Sequence, residues 1–297
     1  GTPVRRNQTL VLRLLLEQRK RTLVLFNDPE SQAERNLMIR SGDFKDATHI
    51  INYHIALLEL LTACCQGRIY EAEVQAQSLY SLEELLVQLE DEVNLWSIKG
   101  RLVNFMWEVY FEAERVSEIQ DVLWSIFDQF RAALETYSEI SPELRRDEGF
   151  SFYIFSAVLP FLKTYFQMHF DPTKADQTKH TLVFRLGEEL VNWLRQDIVD
   201  AVQGKLVCQT ASEILKHCTA IPAVAPPVAT LAAPLTSSGM RMVGTPLMHQ
   251  KKTLHKAVAG KIASLEQLNK AIDSWKNTHG FSSALAAGTG SVTLSTS

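Results

Sequence analysis

The chain has 297 residues, 46% hydrophobic and 22% charged, and 30 Lys and Arg against 34 Asp and Glu give a net charge of -4. That length can bury a sizeable core in one or two domains, and the composition is too apolar for a chain disordered throughout. The balance argues against a strongly basic nucleic-acid binder while leaving room for a local basic face. Only thirteen Gly and ten Pro are spread over the chain, too few for an all-β fold that turns every eight to twelve residues, so helices are expected. Cys64, Cys65, Cys208 and Cys218 form no CxxC pair, which fits a reducing compartment. The opening Gly-Thr-Pro carries no initiator Met or signal-like segment, so the chain reads as a piece of something longer.

Taken in chain order, the basic run Arg19, Lys20 and Arg21 before Thr22 offers a kinase site or a phosphate-facing patch, with a solvated surface as the plainer reading. Apolar residues then recur at steps of three and four: Ile55, Leu58, Leu61, Thr62 and Cys65, followed by Ile98, Leu102, Phe105, Met106 and Val109. The clearest stripe is Ile119, Val122, Leu123, Ile126, Phe127, Phe130 and Leu134. Ser81 before Glu83 and Glu84, Ser117 before Glu118, and Ser141 before Pro142 mark helix starts. A helix over about Phe150 to Phe170 is apolar or aromatic on nearly every side, which predicts a central position, and Pro160 predicts a kink in it. A stripe from Leu182 through Val183, Leu186, Leu190, Val191 and Leu194 to Ile198 follows.

Seven or eight helices are thus expected over residues 1–219, pairing at about forty residues, near the period of HEAT and armadillo units but with no repeated signature. The fold class read from the sequence is all-α, an armadillo/HEAT-like solenoid segment. Residues 220–250, with five prolines and the single charge Arg241, read as a Pro/Ala-rich linker. Residues 251–276 read as an amphipathic helix on Leu254, Val258, Ile262, Leu265, Leu268 and Ile272 that docks on the solenoid, with membrane-surface or calmodulin binding weighed as its alternative. Residues 277–297 read as a flexible tail. None of the uncharged runs has the length and continuity of a membrane span.

Chemistry is sparse. GxGxxG, GxxxxGK[S/T], HExxH, an EF-hand loop and GxSxG are all missing, which leaves nucleotide, metalloprotease and serine-hydrolase chemistry unsupported. His49 and His54 are five apart, a poor match to one helical face for metal binding, and adjacent His217 and Cys218 point about 100° apart on a helix. The carboxylates at Glu83, Glu84, Glu90, Asp91 and Glu92, and at Glu108, Glu112 and Glu114, fit solvated helix faces better than acid/base or calcium sites. No catalytic, cofactor-binding or metal residue is therefore assigned, no cofactor is expected, and the chain is read as a non-enzyme.

LVLFND at Leu23 to Asp28, followed by INYHIALLELLTACCQGRIYEAEVQAQSLYSLEELLVQL at Ile51 to Leu89, resembles the cytosolic helical (RIH, armadillo-like) region of inositol trisphosphate receptors and, more distantly, of ryanodine receptors. Tyr53, His54, Leu57, Leu60, Leu61, Cys64 and Gly67 stand at the matching places, and Ser78, Leu79, Leu82, Glu83 and Glu84 are similar to the next helix start. KGRLVNFMWEVYFEAE at Lys99 to Glu114 and DVLWSIFDQF at Asp121 to Phe130 continue the likeness, which spans about Leu23 to Pro222 and is specific to Phe130. The 220–245 insert has no counterpart, and the family's ligand-binding trefoils and channel helices lie outside the chain. The resemblance implies a regulatory and coupling segment of a homotetrameric calcium-release channel at the cytoplasmic face of the endoplasmic reticulum. Its implied partners are the channel's other domains and regulatory proteins, with no nucleic acid and no membrane insertion by this segment. A free-standing armadillo-like interaction adaptor is the alternative.

Overall fold

The computed structural model describes residue 12 and residues 32–42, 50–67, 69–111, 120–196, 198–218 and 264–279. The described residues form helices and turns without a strand, in line with the all-α expectation. The helices are α1 (Gln32–Ser41), α2 (Ile50–Cys65), α3 (Tyr70–Leu79), α4 (Leu82–Glu90), α5 (Trp96–Met106), α6 (Gln120–Glu139), α7 (Pro142–Arg145), α8 (Glu148–Phe152), α9 (Leu159–Met168), α10 (Gln177–Arg195) and α11 (Ala201–Cys218). Residues 264–278 form α12. Two π-helical stretches, Trp107–Phe111 and Tyr153–Val158, continue α5 and join α8 to α9.

Local chemistry explains most of the starts. Ser81 Oγ accepts the Glu84 amide while Glu84 Oε2 accepts the Ser81 amide at 2.8 Å, a reciprocal capping box. Ser141 accepts the Leu144 amide with Pro142 opening the turn. Asp147, Asp176 and Asp200 cap α8, α10 and α11 through amides at 2.7, 2.9 and 2.8 Å, respectively. The sequence reading named the two serine starts in the described region and missed these three aspartates; Ser117 lies outside the described residues. At the far end of α2 the chain turns through Gly67 at φ +91°, a conformation that costs glycine little.

The helix expected over Phe150–Phe170 runs from Glu148 to Met168 and is central. α5 packs along α8 and the Tyr153–Val158 stretch, α6 touches that stretch, and α11 covers α9. Pro160 falls in the first turn of α9, directly after the π-helical stretch. There the widened backbone already departs from the i to i−4 pattern, as the Leu159 amide donates to Ile154 O, so the proline's missing donor falls where the hydrogen-bond ladder is being reset. α2 lies on the other side of α5, α4 beside both α5 and α6, and α10 between α6 and α11.

The predicted stripes form the core. Leu123, Ile126, Phe127, Phe130 and Leu134 are buried along α6, as are Ile98, Leu102, Phe105, Met106 and Val109 along α5 and its continuation. Along α2 the buried line is shifted: Ile51, His54, Leu57, Leu58, Leu61, Cys64 and Cys65 face inward, while Ile55 and Thr62 are only half-buried. Phe127 is the hub, with ring centroids of Tyr165 at 5.0 Å, Trp124 at 5.4 Å and Phe166 at 5.7 Å. One buried apolar cluster runs continuously from Ile39 on α1 to Trp275 on α12. The proposed linker 220–250, Ile119, the first half of the 251–276 helix and the tail beyond residue 279 lie outside the described residues.

Candidate functional site

The titratable residues singled out in the sequence take local, structural partners. His54 is fully buried on α2 with its ring 6.4 Å from that of Tyr80, and His49 lies outside the described residues. His217 Nε2 is 2.6 Å from Phe166 O, and its ring stands edge-on to Phe170 at 5.0 Å. Its neighbour Cys218 turns away toward Ile214 O at 3.7 Å, and burial pushes its thiol up to about 12. That is the reverse of an activated thiolate, which needs a nearby cation or helix N-terminus. Cys65 is likewise held up to about 12, by burial first and then by the charges of Cys64, Glu73 and Glu108.

Among the carboxylates, Glu84 serves the α4 capping box, Glu90 accepts from Ser125 Oγ at 3.4 Å, and Asp91 Oδ1 accepts the Val93 amide at 3.0 Å. Glu112 and Glu114 lie outside the described residues. Among the described residues, no three His, Cys, Asp or Glu side chains gather in a way that could hold a metal ion. No described helix is long and apolar enough to cross a membrane.

Among the described residues, one buried carboxylate and one buried lysine were not singled out from the sequence. Glu73 is 5% exposed on α3 and Lys99 6% exposed on α5. Lys99 Nζ sits 5.0 Å from the Trp96 ring centre, in cation–π range; burial lowers its pKa while Asp91 and Glu92 pull it back. Spacing carried the signal: Lys99 lies three and four residues before Leu102 and Val103, and Glu73 three before Ala76, all buried positions.

The most developed recognition geometry is the groove that receives α12. Helices α10 and α11 pack closely because Gly187 lets Leu215 in; a Cβ there would stand 2.7 Å from Leu215 Cδ2. Leu265, Leu268, Ile272 and Trp275 of α12 are all buried, at steps of three and four. Trp275 presses on Gly204, where a Cβ would overlap the indole, and stacks on its own His279 at 4.3 Å. Arg195 Nη2 donates to Gln267 O at 3.3 Å across the joint. Beside it, a cleft of about 340 Å³ opens between Ser212, Leu215 and Lys216 of α11 and Asn269, Ile272 and Asp273 of α12. This is a helix-in-groove joint with one aromatic anchor, an arrangement suited to binding a helix. Set against known protein families, the chain matches no family model.

Proposed function

We propose that the chain is a cytosolic regulatory and coupling segment of an inositol trisphosphate receptor-like calcium-release channel, a helical solenoid that carries movement between ligand-sensing domains and the pore. In this reading it works within a homotetramer at the cytoplasmic face of the endoplasmic reticulum, acts by packing, and has the channel's other domains as its partners.

The observation that carries the reading is how the family-like residues divide. Leu57, Leu61 and Cys64 are buried and Gly67 makes the positive-φ turn, so these positions have reasons internal to the chain. Tyr53 and Leu60, also at matching positions, are each 44% exposed, seven residues apart on one side of α2, with Ala56 exposed between them. A large apolar pair left this exposed fits contact with an adjoining domain.

Two measurements test the proposal. The open reading frame that contains this segment should encode about six apolar spans downstream; a stop codon soon after Ser297 with no such spans would overturn the channel reading in favour of an adaptor. In the full-length protein, Tyr53→Ala with Leu60→Ala should blunt ligand-evoked calcium release, while the isolated segment keeps its stability within about 0.5 kcal/mol per exposed site. Unchanged release would remove the coupling role of this face.

A further inference from the structure

We infer that Ser141 is a phosphorylation site for a proline-directed kinase, and that Arg145 leaves the C-terminal carbonyls of α6 to hold the phosphoryl group.

Sequence and exposure together select the acceptor. Three Ser or Thr residues precede a proline, Thr2, Ser141 and Thr245, and of these Ser141 falls within the described residues. It stands in a corner where no residue from 139 to 149 is buried, and Leu144 there is 61% exposed. Opening such a corner breaks few apolar contacts, so a kinase can draw it into its cleft at small cost. The Ser141 backbone is already extended, at φ −65° and ψ 155°, the form that a following proline favours. Its Oγ is loosely held, accepting the Leu144 amide at 3.4 Å. Ser138, Thr136 and Thr181, by contrast, donate to carbonyls three or four residues back inside helices, which would have to unwind before a kinase reached them.

Arg145 gives the modification a structural consequence. Its amide donates to Ser141 O at 3.1 Å, so the two residues lie one turn apart on the same side of the corner. The guanidinium reaches back to α6, where Nε donates to Tyr137 O at 3.0 Å and Nη2 to Ser138 O at 2.9 Å. Tyr137 belongs to the aromatic core, with the rings of Trp193 at 4.8 Å and Phe150 at 5.4 Å. Of the other charges at the corner, the Glu143 carboxylate accepts the Ser141 hydroxyl and repels a phosphoryl group there, while Arg146 lies one residue further round the turn. A phosphoserine brings a charge of about −2 and three acceptor oxygens, and its pairing with a guanidinium is stronger than bonds to neutral carbonyls. Arg145 therefore changes partners and uncouples the corner from the end of α6.

The step is a phosphoryl transfer from a nucleoside triphosphate. Ser141 Oγ forms a bond to the γ-phosphorus of ATP, the bond to the bridging oxygen breaks, ADP leaves, and the hydroxyl proton passes to the kinase's catalytic carboxylate.

Treating the full-length chain with magnesium, ATP and a mitogen-activated protein kinase tests the site. Peptide mass spectrometry should find one phosphoryl group on Ser141, lost in Ser141→Ala. Modification confined to Thr2 or Thr245, or none in a chain that keeps its helical circular dichroism, overturns the proposal. Phosphorus NMR then tests the partner, with the resonance assigned by its absence in Ser141→Ala. It should titrate at least about 0.5 pH unit lower in the wild-type chain than in Arg145→Gln, because a paired guanidinium favours the dianion. Arg146→Gln should titrate like the wild type. Equal midpoints in the wild type and Arg145→Gln overturn the exchange of partners.

Discussion

Phe127 is fully buried where α6 meets the central helix, and its ring neighbours are Trp124 and Phe130 of its own helix and Phe161, Tyr165 and Phe166 of α9. Truncation removes the transfer energy of a benzyl group and leaves a cavity that rigid aromatic walls fill poorly. Phe127→Ala is expected to destabilise by about 3–5 kcal/mol, read by urea denaturation followed by circular dichroism. The cysteines make a second residue-scale prediction, with a definite sign. Burial holds Cys65 and Cys218 at about 12, against 9.0 for a free thiol. The folded state therefore keeps protons that the unfolded state releases, and the stability fully present below pH 9 falls as pH rises from 9 toward 12. The denaturation midpoint should drop over that window, and less steeply in a Cys65→Ala, Cys218→Ala chain. At pH 8 all four thiols, each buried, should react with a thiol reagent only as fast as the protein opens.

For the elements, the α4 capping box and the α12 joint can be probed separately. Ser81→Ala removes one acceptor from the α4 amides and releases Glu84 from its reciprocal bond. A loss of about 1 kcal/mol is expected, with Ser81→Asp retaining most of the cap. A loss below about 0.3 kcal/mol would mean that packing of Leu82, Leu85 and Leu89 alone holds the helix start. Gly204→Ala adds one methyl where the Trp275 indole lies. In the interior of a helix this change ordinarily stabilises by up to about 1 kcal/mol through backbone entropy. Here overlap reverses the sign, so the variant should be less stable and Trp275 fluorescence should report greater solvent exposure. The same substitution combined with Trp275→Ala should recover part of the ordinary helical gain, since the methyl then has room.

Over the whole molecule, one buried cluster links every long described helix, with no break between α6 and α10 where a domain boundary would fall. Tryptophan fluorescence and far-ultraviolet circular dichroism should therefore lose signal in a single coincident transition on denaturation. Two separated transitions would mean that the helices before and after α6 form independent units. Much of this organisation was legible in the chain. Steps of three and four dictate helices because only a 3.6-residue period puts such residues on one side, and Ser81 and Ser141 announce starts because a short hydroxyl side chain can meet orphan amides. The excess of apolar residues around Pro160 likewise required a central helix, since such a segment has no face to offer water. What the sequence left open was decided by neighbours distant along the chain. Periodicity marks Lys99 as facing inward, with Trp96 one turn back on the same helix, but its burial comes only with the elements that pack on α5. Gly204 and Gly187 look like weak points in helices until Trp275 and Leu215 are seen to lie where side chains would be. The outward turn of Tyr53 and Leu60 is likewise a tertiary result, because an apolar residue on a helix reveals its need for burial and not which partner, if any, within the chain provides it. A linear sequence sets the local period and the caps, which are interactions within four residues; close approach and residual exposure depend on contacts between elements tens of residues apart, and those exist only once the chain has folded.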